Sequence, residues 1–348
     1  MLFIKSFKIL FLSFFCFRVL FCCSQNPIPI IYHPNYSIRF DELREFVAPG
    51  YRGMYDQWMI IDRAKTIYEY FKNKKNVKIF SPETWAQYKD LLIAHSKEYL
   101  DSFGELENIR KIIGFKFDQD NMPDVDILRE KILLPARYAI AGTILGVTLA
   151  LSSDCKFAIN LSGGFHHAGI SSGAGFCFFN DIAIGALKLL EKNKDFKILI
   201  VDLDAHLGNG TQDLLEKNKQ VYIFDVHNKD RQFFSDHVSK ESNIFNFPIP
   251  EKTKTEDYLE IVKKNLPELI KQIKPDFILY NAGLDVLEGD QLGGLCVSKE
   301  GLIERDSFVI KAAKMEKIPI LMVLSGGYTQ NSVEIIKQSI DNILKIFS

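Results

Sequence analysis

From Phe157 to its C-terminus the chain alternates short, β-branched or aromatic apolar runs with stretches of helical period, and nothing else constrains its fold as strongly. Five runs read as strands: residues 157–161, 198–203, 221–226, 277–280 and 318–324. None alternates cleanly with polar residues, as expected of strands covered on both faces. Between them lie amphipathic helices. Asn180 or Asp181 caps one over 182–191, and Ser298 precedes another that runs to about Ala313. Ile336, Ile340, Ile343 and Phe347 give the closing helix its apolar face. Thr253 with Glu256 has the spacing of a capping box ahead of Leu259, Val262 and Leu266, and Pro267 is expected to kink or restart that helix. Strand–helix alternation of this kind implies a parallel sheet with right-handed crossovers, an α/β architecture with helices flanking the sheet. The N-terminal half reads as mostly helical, with a small-residue-rich helix over 138–151 and a candidate first strand at 28–32.

Residues 25–348 show no Gly-, Ser- or Pro-rich divider and read as one domain. Residues 1–24 differ. They carry Lys5, Lys8 and Arg18 and no acid around an apolar stretch over 9–23. That pattern fits a targeting segment, although Arg18 interrupts the stretch and no small-x-small cleavage site follows; a start placed too early is the other reading. With 43 basic and 44 acidic side chains in 348 residues, the chain lacks the charge excess of a polybasic nucleic-acid binder, and no direct nucleic-acid binding is expected. Cys155, Cys177 and Cys296, the cysteines after residue 24, form no C-x-x-C pair and support neither a zinc ribbon nor a disulfide framework.

In open α/β sheets ligands bind beyond the carboxyl ends of the strands. Here every strand end delivers polar or ionisable groups: Gly163-Gly164-Phe165-His166-His167, Asp202-Leu203-Asp204-Ala205-His206, Asp225-Val226-His227, Asn281-Ala282-Gly283-Leu284-Asp285, and Gly326-Gly327-Tyr328. Asp204 and His206, two apart, can point to one side of a fraying strand, and Asp285 comes from a neighbouring end. Two carboxylates and an imidazole leave a fourth position open, as in a catalytic metal site; Zn²⁺ suits these donors, and Fe²⁺, Co²⁺ or Mn²⁺ can bind the same set. Taken alone, Asp-x-Asp-x-His is more simply a polar strand end, His166-His167 a structural pair, and Tyr328 an ordinary turn tyrosine. Their convergence on one edge favours chemistry: two histidines on a metal-bound water and a phenol donating to an oxyanion. Asp202, pointing inward, needs a histidine or a monovalent cation as partner.

These motifs resemble those of the zinc-dependent histone deacetylases of the arginase–deacetylase fold. Ile31-Tyr32-His33-Pro34-Asn35-Tyr36, the stretch from His95 to Leu100, His206-Leu207-Gly208-Asn209-Gly210 and the stretch from Leu287 to Leu295 are similar to class IV members in particular. The resemblance covers about residues 29–348. It implies a hydrolase that removes acetyl, and also longer acyl groups, from lysine side chains of histones or other proteins. Asp204, His206 and Asp285 would hold zinc, His166 and His167 would flank the attacking water, and Tyr328 would polarise the acyl carbonyl. Asp202 would orient His166 and, with the Asp225 region, serve a K⁺-type monovalent site. Phe176 would wall the acyl-lysine channel, with Phe233 or Phe234 opposite, and the Gly175 carbonyl would accept from the substrate amide. The resemblance also implies a nuclear or cytoplasmic setting, chromatin regulation and repressor-complex partners.

Asn209 stands where class I members carry an aspartate, so His167 gains orientation but less stabilisation of its charged form. Three rivals are weighed. An arginase-type ureohydrolase needs an aspartate at the position of Gly208. An acetylpolyamine amidohydrolase is closer in chemistry. A non-catalytic acyl-lysine-binding scaffold would be favoured by loss of a ligand, a histidine or the tyrosine, and none is lost. His95 and Asp101 stand open between the substrate rim and a structural role.

Overall fold

The computed structural model describes residues 27–37, 40–58, 62–114, 116–232 and 239–347. Residues 1–24, Phe233 and Phe234 lie outside them. Eight strands form one sheet: β1 (Ile28–Ile31), β2 (Val77–Phe80), β3 (Phe157–Asn160), β4 (Ile198–Asp202), β5 (Val221–Asn228), β6 (Ile244–Ile249), β7 (Phe277–Asn281) and β8 (Ile320–Val323). Their order is β2-β1-β3-β8-β7-β4-β5-β6, and every neighbouring pair is parallel. The five expected strands are all present, and 28–32 supplies β1.

Two strands were missed, and both are edges. In β2 only Val77 is buried; β6 carries Asn246 and Pro248, and an edge tolerates the missing proline donor. Nine helices of seven residues or more occur among the described residues: α1 (Pro49–Trp58), α2 (Arg63–Phe71), α3 (Leu106–Ile113), α4 (Leu134–Ser152), α5 (Asp181–Lys192), α6 (Asn209–Leu215), α7 (Thr255–Ile273), α8 (Lys299–Met315) and α9 (Ser332–Ile346). Asn180 caps α5 and Ser298 caps α8, each accepting a backbone N–H from three residues on.

Helix α7 departs from expectation twice. It runs unbroken through Pro267, because the carbonyl deprived of a donor belongs to Lys263 on the exposed face, where water can serve it. Its N-cap is Lys254 without a side-chain bond, since the Thr253 hydroxyl donates instead to Pro250 O at 2.7 Å.

Strands β1, β3, β4 and β7 are buried along their whole length, as their unbroken apolar runs require. Helix α4 packs on this sheet through small residues: a Cβ at Gly146 would lie 2.6 Å from Leu321 Cδ1. The continuous helical stretch Val125–Ser152, which ends in α4, is long and apolar enough to pass for a membrane span, yet 67% of its apolar 18-residue window is buried inside the protein. A second apolar cluster, including Phe103, Ile109, Ile112, Leu128 and Phe178, joins the N-terminal helices to α5 beside the carboxyl ends of the sheet.

Candidate active site

The four central strands, β3-β8-β7-β4, carry the four motifs that converge. Pairing of Asn160 with Val323, Asn281 with Val323 and Asp202 with Asn281 brings their carboxyl ends level. Beyond that line the chain turns into loops lining one pocket of about 210 Å³, among them Gly164, His166, His167, Gly175, Phe176, Asp204, His206, Gly326 and Tyr328.

Ligand atoms of Asp204, His206 and Asp285 all lie within 4.8 Å of one another, and all three residues are buried. His206 Nδ1 sits 3.1 Å from Asp204 Oδ1 and 3.0 Å from Asp285 Oδ2. The other carboxylate oxygens are aimed by the backbone: Gly326 N–H donates to Asp204 Oδ2 at 3.1 Å, and Ala205 N–H to Asp285 Oδ1 at 2.8 Å. Burial and the facing Asp204 carboxylate push Asp285 up to about 7. Against the same burial penalty, His166 and His206 hold Asp204 well below the usual carboxylate range. Two buried carboxylates this close share positive charge poorly with one imidazole, and a divalent cation relieves that repulsion. The donor set therefore fits a metal ion with three protein ligands.

The two histidines facing this triad are set apart electrostatically. His166 Nδ1 lies 2.9 Å from Asp202 Oδ2; burial opposes its charge, but the Asp202 and Asp204 carboxylates outweigh it and raise His166 to about 9. His167 Nδ1 lies 2.7 Å from Asn209 Oδ1, and burial together with the positive charge of His166 and His206 drives it well below its ordinary value. Asp202 is itself fully engaged, since Asn281 Nδ2 and Asp204 N–H donate to its Oδ1 at 2.8 and 3.2 Å. Asp225 accepts the Gly208 N–H at 3.0 Å, which fixes the turn that presents Asn209 at the start of α6.

Burial, with the charges of Asp285 and Asp204, keeps the Tyr328 phenol protonated and so a donor. Phe176, whose ring centre is 6.4 Å from that of Tyr328, holds a left-handed φ of 65°, a strained setting for an aromatic residue. Gly164 and Gly326 are demanded by space: a Cβ at the first would meet Ser325 Oγ at 2.6 Å, and at the second Asp285 Oδ2 at 2.4 Å.

Sequence reasoning overlooked three contributors. Asp181, read only as a helix cap, receives the N–H groups of Gly164 and Phe165 and so holds the loop carrying both histidines. Asp290 accepts the Tyr328 N–H at 2.7 Å, and its place in an acidic turn was the available signal. Arg63 lines the pocket and donates to Leu324 O and Ser325 O at 3.1 and 2.7 Å; a lone arginine opening a helix gives no signal of that. His95 is structural, buried between Gly169 O and the Asn180 N–H, while Asp101 is exposed against Lys97 and Tyr88.

A family model described as "Histone deacetylase domain" matches residues 58–345. Among curated proteins the chain is 34% identical to Histone deacetylase 2 of Arabidopsis thaliana over 259 residues, 73% of this chain and 64% of that one. It therefore spans less than two thirds of that relative. It is 28% identical to an uncharacterised Picosynechococcus protein over 87% of this chain and 93% of the other. Among solved structures the HDA15 HD domain superposes with a TM-score of 0.72 over 93% of this chain and 88% of that one, at 20% identity, which supports the fold. The family model covers most of the chain, its motifs meet at one pocket, and the chain belongs to the histone deacetylase family.

Proposed function

We propose that this protein is a zinc-dependent lysine deacylase of class IV type, acting on acylated side-chain amines of histones or other proteins. The observation that carries the reading is that the buried Asp204–His206–Asp285 donor set lies against the pocket lined by His166, His167 and Tyr328. A metal ion held by those three residues would supply Lewis acidity toward water and the acyl carbonyl.

The chain's own groups account for the proton traffic. Neutral His167 accepts a proton from the attacking water through Nε2, while Asn209 holds its Nδ1 side. His166, charged and held by Asp202, stabilises negative charge as it develops. The Tyr328 hydroxyl donates to the tetrahedral oxyanion. When the carbon–nitrogen bond breaks, the proton taken up by His167 passes to the departing lysine amine. Phe176 forms a wall of the acyl-lysine channel and Gly175 presents its carbonyl to the substrate amide. Buried Asp202 and Asp225, paired in register, support a monovalent cation nearby. The neutral Asn209 stabilises charged His167 less than a carboxylate would, which favours modest acetyl turnover; long-chain acyl groups as substrates follow from the class IV resemblance.

Hydrolysis of acetyl-lysine and myristoyl-lysine peptides by the full chain, with and without zinc and beside Tyr328→Phe, tests this reading. Zinc-dependent release that falls about 10²- to 10³-fold in the variant is expected. Faster acetyl than myristoyl turnover counts against the long-chain preference. No release of either acyl group by folded, zinc-loaded protein overturns the deacylase.

A further inference from the structure

We infer that Arg305, outside the pocket, is a positioning residue that sets the spacing of the metal-binding carboxylates by bridging the two strand ends that carry them. The inference rests on the metal reading of the Asp204–His206–Asp285 set.

Arg305 lies in α8 and is fully buried. Its Nη1 donates to Leu203 O at 3.0 Å and to Gly283 O at 2.7 Å. Leu203 immediately precedes Asp204 at the end of β4, and Gly283 stands two residues before Asp285 at the end of β7. The Leu203 N–H still bonds Asn281 O at 3.0 Å as the two strands end. One guanidinium nitrogen then joins the two tails through their outward carbonyls.

The guanidinium is itself held rigidly. Asp306 Oδ1 lies 2.9 Å from Arg305 Nε and 2.8 Å from Nη2, and the Tyr280 hydroxyl donates to the same oxygen. Ser339 of α9 donates to Asp306 Oδ2 at 2.6 Å. Tyr280 belongs to β7 itself, so the clamp is anchored to the strand whose end it positions.

Stability alone is a poor reason for this arrangement, because a buried ion pair is commonly matched or bettered by well-packed apolar residues. What an apolar side chain cannot do is donate to both carbonyls. Without Arg305, Gly283 O would lose this buried donor and Leu203 O would keep only the longer bond from the Tyr258 hydroxyl at 3.4 Å, so the carbonyl link between the two tails would be gone. Small displacements matter at a metal site, where loss of an outer hydrogen-bonding partner typically weakens binding by about 10- to 100-fold.

Zinc affinity of the full chain, measured by competition with a chelator, tests the assignment alongside circular dichroism and melting. Arg305→Met with Asp306→Asn removes the clamp without stranding a buried charge. Arg305→Lys keeps one cationic nitrogen able to donate to both carbonyls. The expected result is a folded double variant with zinc binding weakened about tenfold or more and kcat lowered at little-changed KM, and a lysine variant that retains most of the affinity. Wild-type zinc affinity in the folded double variant overturns the assignment. So does a lysine variant as weak as the double variant, or failure of both to fold, which would mark the pair as core structure only. Absence of zinc binding by the wild type instead defeats the metal reading itself, before any variant is compared.

Discussion

Asn209 Oδ1 lies 2.7 Å from His167 Nδ1, so an amide, not a carboxylate, orients the histidine that the pocket keeps neutral. A carboxylate there would favour the imidazolium and raise the His167 pKa from its depressed position. In the proposed mechanism the base form of His167 takes up the proton from water, so activity is expected to fall on the acid side as this group becomes protonated. Asn209→Asp is therefore expected to shift the acid limb of kcat/KM upward by about one pH unit or more, with the basic limb little changed. Rates across pH 5 to 9 on one acyl-lysine peptide check this; an unmoved acid limb would separate His167 from the proton transfer.

Metal removal should be legible in stability as well as rate. Burial and repulsion from Asp204 hold Asp285 up at about 7, and a divalent cation between the carboxylates would relieve that repulsion. Chelation is expected to abolish peptide hydrolysis, lower the melting temperature and be reversed on adding zinc. At a free metal concentration about a hundredfold above Kd, binding adds roughly 2.7 kcal/mol to folding stability. Identical melting curves with and without zinc would argue that the triad is not a metal site.

The central sheet and the convergence of the candidate site residues were legible in the sequence for one physical reason. Strands β3, β4, β7 and β8 are covered on both faces, so they must be continuously apolar and must place every polar residue at their ends. That makes His166, Asp204, His206, Asp285 and Tyr328 stand out at strand termini. Edge strands β2 and β6 face no such demand, and Lys78, Asn246 and Pro248 hide them in a linear reading. Asp181, Asp290 and Arg63 were missed because each acts on backbone groups distant in sequence: Arg63 reaches Leu324 and Ser325 across the fold. Spacing cannot reveal a bond whose partner is an anonymous carbonyl. Pro267 misled because its cost depends on whether the orphaned carbonyl meets water, which exposure and not sequence decides.

Close approach at Gly326 makes a sharp test of how tightly the carboxylates are placed. A Cβ there would lie 2.4 Å from Asp285 Oδ2 and 2.8 Å from Asp204 Oδ2, at the face where the Gly326 N–H also holds Asp204. Neither carboxylate can retreat without leaving the position at which the three candidate ligands meet. Gly326→Ala is expected to reduce kcat by about 10²-fold or more, the scale on which misplacement by an ångström acts, while the variant still folds cooperatively. Near-normal turnover would show that the carboxylates have more room than the geometry allows.

His95 ties the N-terminal helices to the loop behind the histidine pair, and its protonation should be felt in folding. Its Nδ1–H donates to Gly169 O at 2.8 Å and its Nε2 accepts from the Asn180 N–H at 2.9 Å, an arrangement that needs the neutral ring. Burial lowers its pKa to about 4. The unfolded chain, with the ordinary value near 6.5, takes up a proton below that pH that the folded chain refuses. The contribution is thus fully present above about pH 6.5 and is lost as the pH falls toward about 4, amounting to about 3 kcal/mol across that window. His95→Gln, which keeps a donor and an acceptor but no titration, should show a flatter fall in unfolding free energy over the same interval. Urea unfolding of the two proteins at pH 7, 6, 5 and 4 decides the matter: parallel declines would mean that His95 titrates alike in the folded and unfolded chains, so that the Asn180 N–H does not hold its Nε2 unprotonated.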